Sequence, residues 1–338
     1  MSAPDGSARL GSVDCASQYT WGLRYRYAWR VNQDHGGAPG HSHPHPPSDP
    51  SGHPRIGFVG AGRVSCALGV VFAGAGWPVA AIATRDEANA DRFLELVPDA
   101  HVVRSIAALT DDVDLIFVTV PDDAIADVAA ELRLYAGQAA VHTSGALDSS
   151  ALEPARAAGT QLGSFHPMVA FANQEVAVRS LPGSTIAVEG DDELVALLGQ
   201  LASDIDAQPV RLPPTGKTAY HAAAVLAGGG VIGLLDGVAE VARGAGLDEA
   251  GALAIYVPLI RQALTNAEAM GIGNALTGPF VRGDVGTIRG HLEAMRRLAP
   301  GAVEMYRATA SRELDLAVGR GAITEEQATP LRRLLEDG

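Results

Sequence analysis

The stretch R-I-G-F-V-G-A-G-R-V-S-C-A-L-G-V-V-F, residues 55–72, decides how the chain reads. Ile56 to Val59 is a short apolar run of strand length. It leads straight into Gly60-Ala61-Gly62-Arg63-Val64-Ser65, after which Val64, Leu68, Val71 and Phe72 recur at helical spacing. A strand, a glycine turn and a helix in that order form a phosphate cradle. The first glycine permits the tight turn, the second lets backbone approach a pyrophosphate, and the helix N-terminus offers free N–H groups at a positive dipole end. The third position, usually Gly or Ala for close helix–strand contact, is Ser65, which is slightly larger. The turn points to a dinucleotide held by Gly60, Ala61, Gly62, Arg63 and Val64.

Outward from this turn, short apolar runs alternate with amphipathic stretches. Strands are expected at residues 56–59, 79–83, 101–103, 115–120, 139–142 and 161–165, and helices near 64–75, 87–96, 123–134 and 149–157. That alternation marks βαβ units and a parallel sheet. Two more strands, 184–188 and 208–211, flank a helix at 191–202 and extend it. Past Pro214 every long segment is helical in period, so the chain divides near residue 213 into an α/β half and an all-α half, without internal repeats.

A length of 338 residues fits roughly two domains at about 150 each. Hydrophobic residues at 47% and charged ones at 19% are ordinary globular usage, and a net charge of −14 argues against a phosphate-backbone binder, so no nucleic acid partner is expected. Two cysteines, Cys15 and Cys66, provide no disulfide framework, which fits a reducing cytoplasm. Residues 1–53 hold no long apolar segment, so neither a signal peptide nor a membrane partner is expected. Residues 36–54, rich in Pro, Gly and His, read as the end of a disordered tail covering 1–54. His41, His43 and His45, with His35 and His53 nearby, offer imidazoles, but a floppy leader is the expectation, and no metal is expected. The aromatic patch at 21–29 has no period and reads as an over-extended start.

Cofactor preference is read at the end of the second strand. There an Asp or Glu would accept from a ribose 2′-hydroxyl, and the chain has Ala83-Thr84-Arg85. A hydroxyl and a guanidinium suit a 2′-phosphate, which favours NADPH; alternatively Asp86 merely caps the next helix beside a solvated Arg85. After the fourth strand the backbone at Val120 and Pro121 lies at the carboxyl edge, where ligands bind.

Six runs taken in order, R-I-G-F-V-G-A-G-R-V, V-P-D-D-A-I-A-D-V-A, H-T-S-G-A-L, G-S-F-H-P-M-V-A-F, K-T-A-Y-H-A-A-A-V and A-L-T-G-P-F-V-R-G-D, resemble the family of Rossmann-like proteins with a C-terminal domain of unknown function numbered 2520. The resemblance covers about residues 55 to 335. It implies an α/β fold: a Rossmann-like NADP-binding domain at 55–213, and an all-α domain at 214–338 similar to the C-terminal domain of 6-phosphogluconate dehydrogenase, serving substrate binding and dimerisation. The family is similar to pyrroline-5-carboxylate reductases and β-hydroxyacid dehydrogenases, and some members act as an alternative ketopantoate reductase. The implied activity is NADPH-dependent reduction of a small 2-oxo acid, 2-dehydropantoate first. The alternatives are an imine reductase of the pyrroline-carboxylate type and a non-catalytic NADPH-binding sensor; a vestigial structural fold is the blandest.

Lys217 and His221 are four residues apart and share one helical face. The pair resembles the Lys-x-x-x-Asn of β-hydroxyacid dehydrogenases, where lysine handles the proton at the new oxygen; here His replaces Asn. A desolvated lysine has a lowered pKa and can donate near neutral pH, although Lys217 could equally open a buried helix from the surface. Ser144, in the loop 142–146 after the fifth strand, offers a hydroxyl for catalysis or caps a helix. His166 orients substrate or bonds to backbone. Thr277 and Arg282 suit a substrate carboxylate, unless Arg282 braces its loop through Asp284. Gly228, Gly229 and Gly230 stand where similar proteins carry an Asn, and their helix penalty of about 1 kcal/mol each calls for close packing or ligand approach. The apolar helical half is expected to form a homodimer.

Overall fold

The computed structural model describes residues 52–336. Cys15, the aromatic patch, His35, His41, His43 and His45 lie outside the described residues. His53 and Pro54, expected in the tail, instead belong to the folded body: His53 stacks on Trp77 with ring centroids 4.1 Å apart and Pro54 is buried.

Eight strands form one sheet: β1 (Ile56–Val59), β2 (Val79–Ala83), β3 (His101–Val103), β4 (Leu115–Val118), β5 (Ala139–His142), β6 (Gln161–Pro167), β7 (Thr185–Gly190) and β8 (Gln208–Arg211). Their order is β3-β2-β1-β4-β5-β6-β7-β8, parallel except at β6–β7. The order reverses between β1 and β4, and the crevice at the carboxyl ends there is the ligand position in such sheets. Helices α1 (Arg63–Gly74), α2 (Glu87–Leu96), α3 (Ile106–Asp112), α4 (Ile125–Glu131), α5 (Gln174–Ser180) and α6 (Asp192–Asp204) connect the strands. Phe58, Phe72, Phe93, Phe117 and Phe165 pack ring on ring within the core on one side of the sheet. Ile116, Val118, Ile125, Leu152 and Leu162 fill the other.

Three local expectations are corrected. β4 stops at Val118 rather than 120, because the Thr119 hydroxyl turns back to the carbonyls of Val59 and Gly60 at 2.9 and 3.0 Å. The segment expected as a helix at 149–157 is a 3-10 turn, Ser149–Ala155, with Pro154 inside it. Helices α3 and α5 were not expected; each has seven residues, too few to show a period, and each is set by a capping side chain, Ser105 and Asn173.

The chain forms two compact units, Met1–Ala224 and Val225–Gly338. The first continues past residue 213 into α7 (Lys217–Ala227), whose first residue bonds to the loop after β5 and to β6. The second takes in the end of α7 from Val225, then α8 (Gly229–Gly244), α9 (Glu249–Met270), α10 (Ile272–Ala275), α11 (Pro279–Arg282), α12 (Val285–Leu298), α13 (Val303–Gly319) and α14 (Glu325–Glu336). The glycines at 228–230 break the helix between α7 and α8, with Gly228 at φ −96° and ψ −79°. No packed neighbour accounts for Gly229, which has nothing within 4 Å of its Cβ position. Pro214–Gly244 is long and apolar enough to cross a membrane by length and composition.

Candidate active site

The glycine turn has the geometry of a phosphate cradle. Gly60 sits at φ +95°, and a Cβ there would stand 2.9 Å from the Thr119 carbonyl oxygen, so no other residue fits. Gly62, before α1, faces open space. The first helical bond runs from the Cys66 amide to the Gly62 carbonyl, which leaves the amides of residues 63–65 without helical partners. Ser65 fits the third position by burying its hydroxyl, which donates to the Gly62 carbonyl at 2.9 Å. No acidic residue occupies the first turn of α1. Donors, dipole and open space therefore suit a pyrophosphate. Val120 covers the turn and Pro121 leads out of β4. At the end of β2, Asp86 does cap α2, and Thr84 accepts from its amide; Arg85 stands exposed, loosely paired with Glu131 at 3.7 Å. Arg63 reaches the Ala172 carbonyl.

A second feature lies across three strands. The register pairs His142 with Ser164 and Ser164 with Glu189, so three buried polar residues form one row across the sheet. Lys217, 1% exposed, closes over this row. Its Nζ donates to the Ser164 hydroxyl at 2.7 Å and to the Ser144 carbonyl at 3.1 Å. Ser164 donates in turn to Glu189 at 3.3 Å, and Glu189 also accepts from the amide and hydroxyl of Ser149, each at 2.8 Å. His142 donates from Nε2 to the Asp148 carbonyl at 2.9 Å, so its Nδ1 accepts the Ser144 amide at 3.2 Å. A neutral imidazole alone can do both.

The Ser144 hydroxyl, expected to serve catalysis, is instead fully engaged. It donates to Asp122 at 2.8 Å and accepts the amides of Ala146 and Leu147. It braces the loop, and its carbonyl is what reaches Lys217. Next to it, Gly145 lies under two imidazoles: a Cβ there would collide with His221 Nδ1 and stand 2.7 Å from His166 Nε2. The two rings are 5.7 Å apart, and His221 Nδ1 is buried without a hydrogen-bond partner. His166 Nδ1 meets the Tyr220 hydroxyl at 3.4 Å. Burial raises the pKa of Tyr220, so its hydroxyl keeps its proton beside His166, whose Nε2 faces Gly145.

Burial sets the charges. Lys217 is lowered to about 8 by desolvation, opposed by Glu189, Asp148 and Asp122. His142 falls to about 4 through desolvation and then the charge of Lys217. His166 falls to about 4 through desolvation, then His221 and Lys217. Both histidines are neutral at pH 7 beside a lysine that is mostly ammonium, with one of its three N–H groups still uncommitted.

Lys217, His221, His166 and the Ser144 loop thus come together in the first unit. Thr277 and Arg282 belong to the second, where Arg282 pairs with Asp284 at 2.7 Å in the loop-brace arrangement. Sequence reasoning missed Ser164, Glu189, Tyr220 and Asp122. It also passed over a plain signal: Lys217 is the only lysine of the chain, and the other 24 of its 25 basic residues are arginines.

A mostly parallel sheet with this turn at its switch point and a buried lysine nearby defines an α/β protein of the dinucleotide-binding class. The chain carries a Rossmann-like domain, matched over residues 48–167, followed by the domain of unknown function DUF2520, matched over 184–313. Among solved structures, a Bacteroides fragilis protein described as an NADP oxidoreductase is 20% identical, with 78% of this chain and 98% of that one covered, at a TM-score of 0.66. Protein TM1727 of Thermotoga maritima is 24% identical over 78% of this chain and 99% of its own, at 0.61. The 1-pyrroline-5-carboxylate reductase of Streptococcus pyogenes is 18% identical over 79% and 99%, at 0.55. Identities this low establish a shared fold. No curated protein matches the chain.

Proposed function

We propose that the chain is an NADPH-dependent reductase of a small 2-oxo acid, with 2-dehydropantoate the first substrate to try. The single observation that carries this reading is Lys217: a buried ammonium beside two neutral imidazoles, in the α/β unit that holds the phosphate cradle. NADPH would be held by the backbone of Gly60, Ala61, Gly62, Arg63 and Val64, by Thr84 and Arg85 toward its 2′-phosphate, and by Val120 and Pro121, and it supplies the hydride. Lys217 supplies the proton that the new hydroxyl requires, because a donor whose pKa is about 8 is charged at pH 7 yet releases readily. The His166 ring orients the substrate through Nε2, and His221 lies on the same side of the Ser144 loop. The likeness to a pyrroline-carboxylate reductase supports imine reduction as a second reading, in which the substrate nitrogen arrives already protonated.

The helical unit leaves Leu226, Ile232, Leu259, Leu264 and Ile272 from 59% to 73% exposed. We assign that apolar surface, and the open glycines before it, to a second copy of the chain in the cytoplasm; light scattering that gives a monomer at micromolar concentration would remove this assignment. The test of the activity is NADPH absorbance with a panel of 2-oxo acids and cyclic imines, on the wild type and on Lys217→Met. Reduction of a 2-oxo acid that falls by about 10²-fold or more in the variant supports carbonyl reduction. Imine turnover that survives the substitution supports the second reading, and binding without any turnover refutes both.

A further inference from the structure

The proton-donor reading leaves Glu189 without a role, although a buried carboxylate is costly to keep. It is 4% exposed, accepts three hydrogen bonds, and sits two strands across the sheet from His142 on β5. Two of its bonds come from Ser149; the third comes from Ser164, the same hydroxyl that accepts from Lys217 Nζ. A serine that accepts from an ammonium and donates to a carboxylate aligns its dipole with both charges. The chain Nζ–H to Oγ–H to Oε2 is therefore polarised in one direction only.

We propose that Glu189, acting through Ser164, is a positioning residue that holds Lys217 as an ammonium and fixes its Nζ over β6. Neither residue touches substrate; both act through the lysine. The other charged and titratable groups around Lys217 are Asp148 after β5, Asp122 after β4, and the imidazoles of His142, His166 and His221. The histidines are not the counter-charge, since burial keeps His142 and His166 neutral. Asp122 is engaged by the Ser144 hydroxyl, and Asp148 by the amide of Ser150. Glu189 alone is linked to Nζ by a continuous path of hydrogen bonds.

The kinetic consequence rests on the reductase reading, but the inference itself has a readout without any substrate. Because the chain has one lysine, protein made with ¹³C,¹⁵N-lysine shows a single side-chain spin system, whose shift against pH reports Lys217 directly. Glu189→Gln keeps the shape and removes the charge, and it is expected to lower the midpoint by about one pH unit, since an opposite charge nearby is worth one or more units. Ser164→Ala is expected to lower it as well, and both are expected to move the alkaline limb of kcat/KM by the same amount. An unchanged lysine midpoint in a folded Glu189→Gln protein overturns the proposal. Should that variant not fold, Ser164→Ala decides, an unchanged midpoint again overturning it. A midpoint lowered in the Glu189→Gln variant, where the wild type reduces nothing, keeps the inference and rejects the reductase.

Discussion

His142 offers a measurable link between site and stability. Its pKa falls from 6.5 to about 4 on folding, so the unfolded chain binds the proton more tightly. A base whose pKa is depressed gives its full contribution above 6.5 and loses it as pH falls toward 4. Integrating the linkage from pH 7.5 to 5 gives a loss of about 2 kcal/mol from this one group, at 1.36 kcal/mol per unit. The structural cause is explicit: protonating Nδ1 removes the acceptor of the Ser144 amide while Nε2 stays on the Asp148 carbonyl. His142→Asn puts an amide oxygen near the Nδ1 position but leaves that carbonyl unpaired and a small void, so it should destabilise the protein by about 1–2 kcal/mol at pH 7.5. The variant has nothing to titrate there, so the gap to wild type should close near pH 5. Urea unfolding followed by tryptophan fluorescence, to which the 2%-exposed Trp77 contributes, measures both values. A gap that is the same at pH 7.5 and 5 would refute the reasoning.

Three further outcomes are expected. Gly60→Ala combines a left-handed φ with a 2.9 Å approach to a carbonyl, so it should lower stability by about 1–3 kcal/mol and abolish nucleotide binding, read by thermal shift with and without NADPH. Tyr220→Phe removes the hydroxyl that holds the His166 ring at Nδ1; on the order of a tenfold loss in kcat with Tm nearly unchanged is expected from steady-state kinetics and a melt. Lys217→Arg keeps the charge but not a releasable proton, so activity on a 2-oxo acid should drop about as far as in Lys217→Met. Full activity in the arginine variant would remove Lys217 as the donor.

The sheet was legible because each strand is a short apolar run ended by a turn residue, and the runs at 56–59, 79–83, 101–103, 139–142 and 208–211 match the observed strands to the residue. The cradle was legible because its chemistry is local: strand, turn and helix are contiguous. Lys217 and His221 were legible for the same reason, four residues on one helix. Ser164 and Glu189 were not, since what makes them a site is cross-strand register, and no pattern within Q-L-G-S-F or T-I-A-V-E-G shows that they are neighbours. Ser144 was found but misread, because a hydroxyl at a strand end suits catalysis and loop bracing equally until Asp122 is seen beside it. Arg282 pairs with the aspartate two residues away, the loop brace that stood as the alternative to a substrate carboxylate.

The chain uses arginine for every basic position but one. Where a cation only has to pair or stay soluble, as at Arg156, Arg211 and Arg332, a group that never loses its proton is adequate. A proton donor has the opposite requirement, since its pKa must come down toward the working pH, and lysine is the side chain that burial can bring there. Burial alone would carry it too far and leave a neutral amine with nothing to give. The Glu189 carboxylate counters that pull, so the sheet tolerates a buried glutamate that its apolar neighbours would otherwise exclude. Lys217, Ser164 and Glu189 form one device on this account, and the pKa of about 8 is the balance point between desolvation and counter-charge.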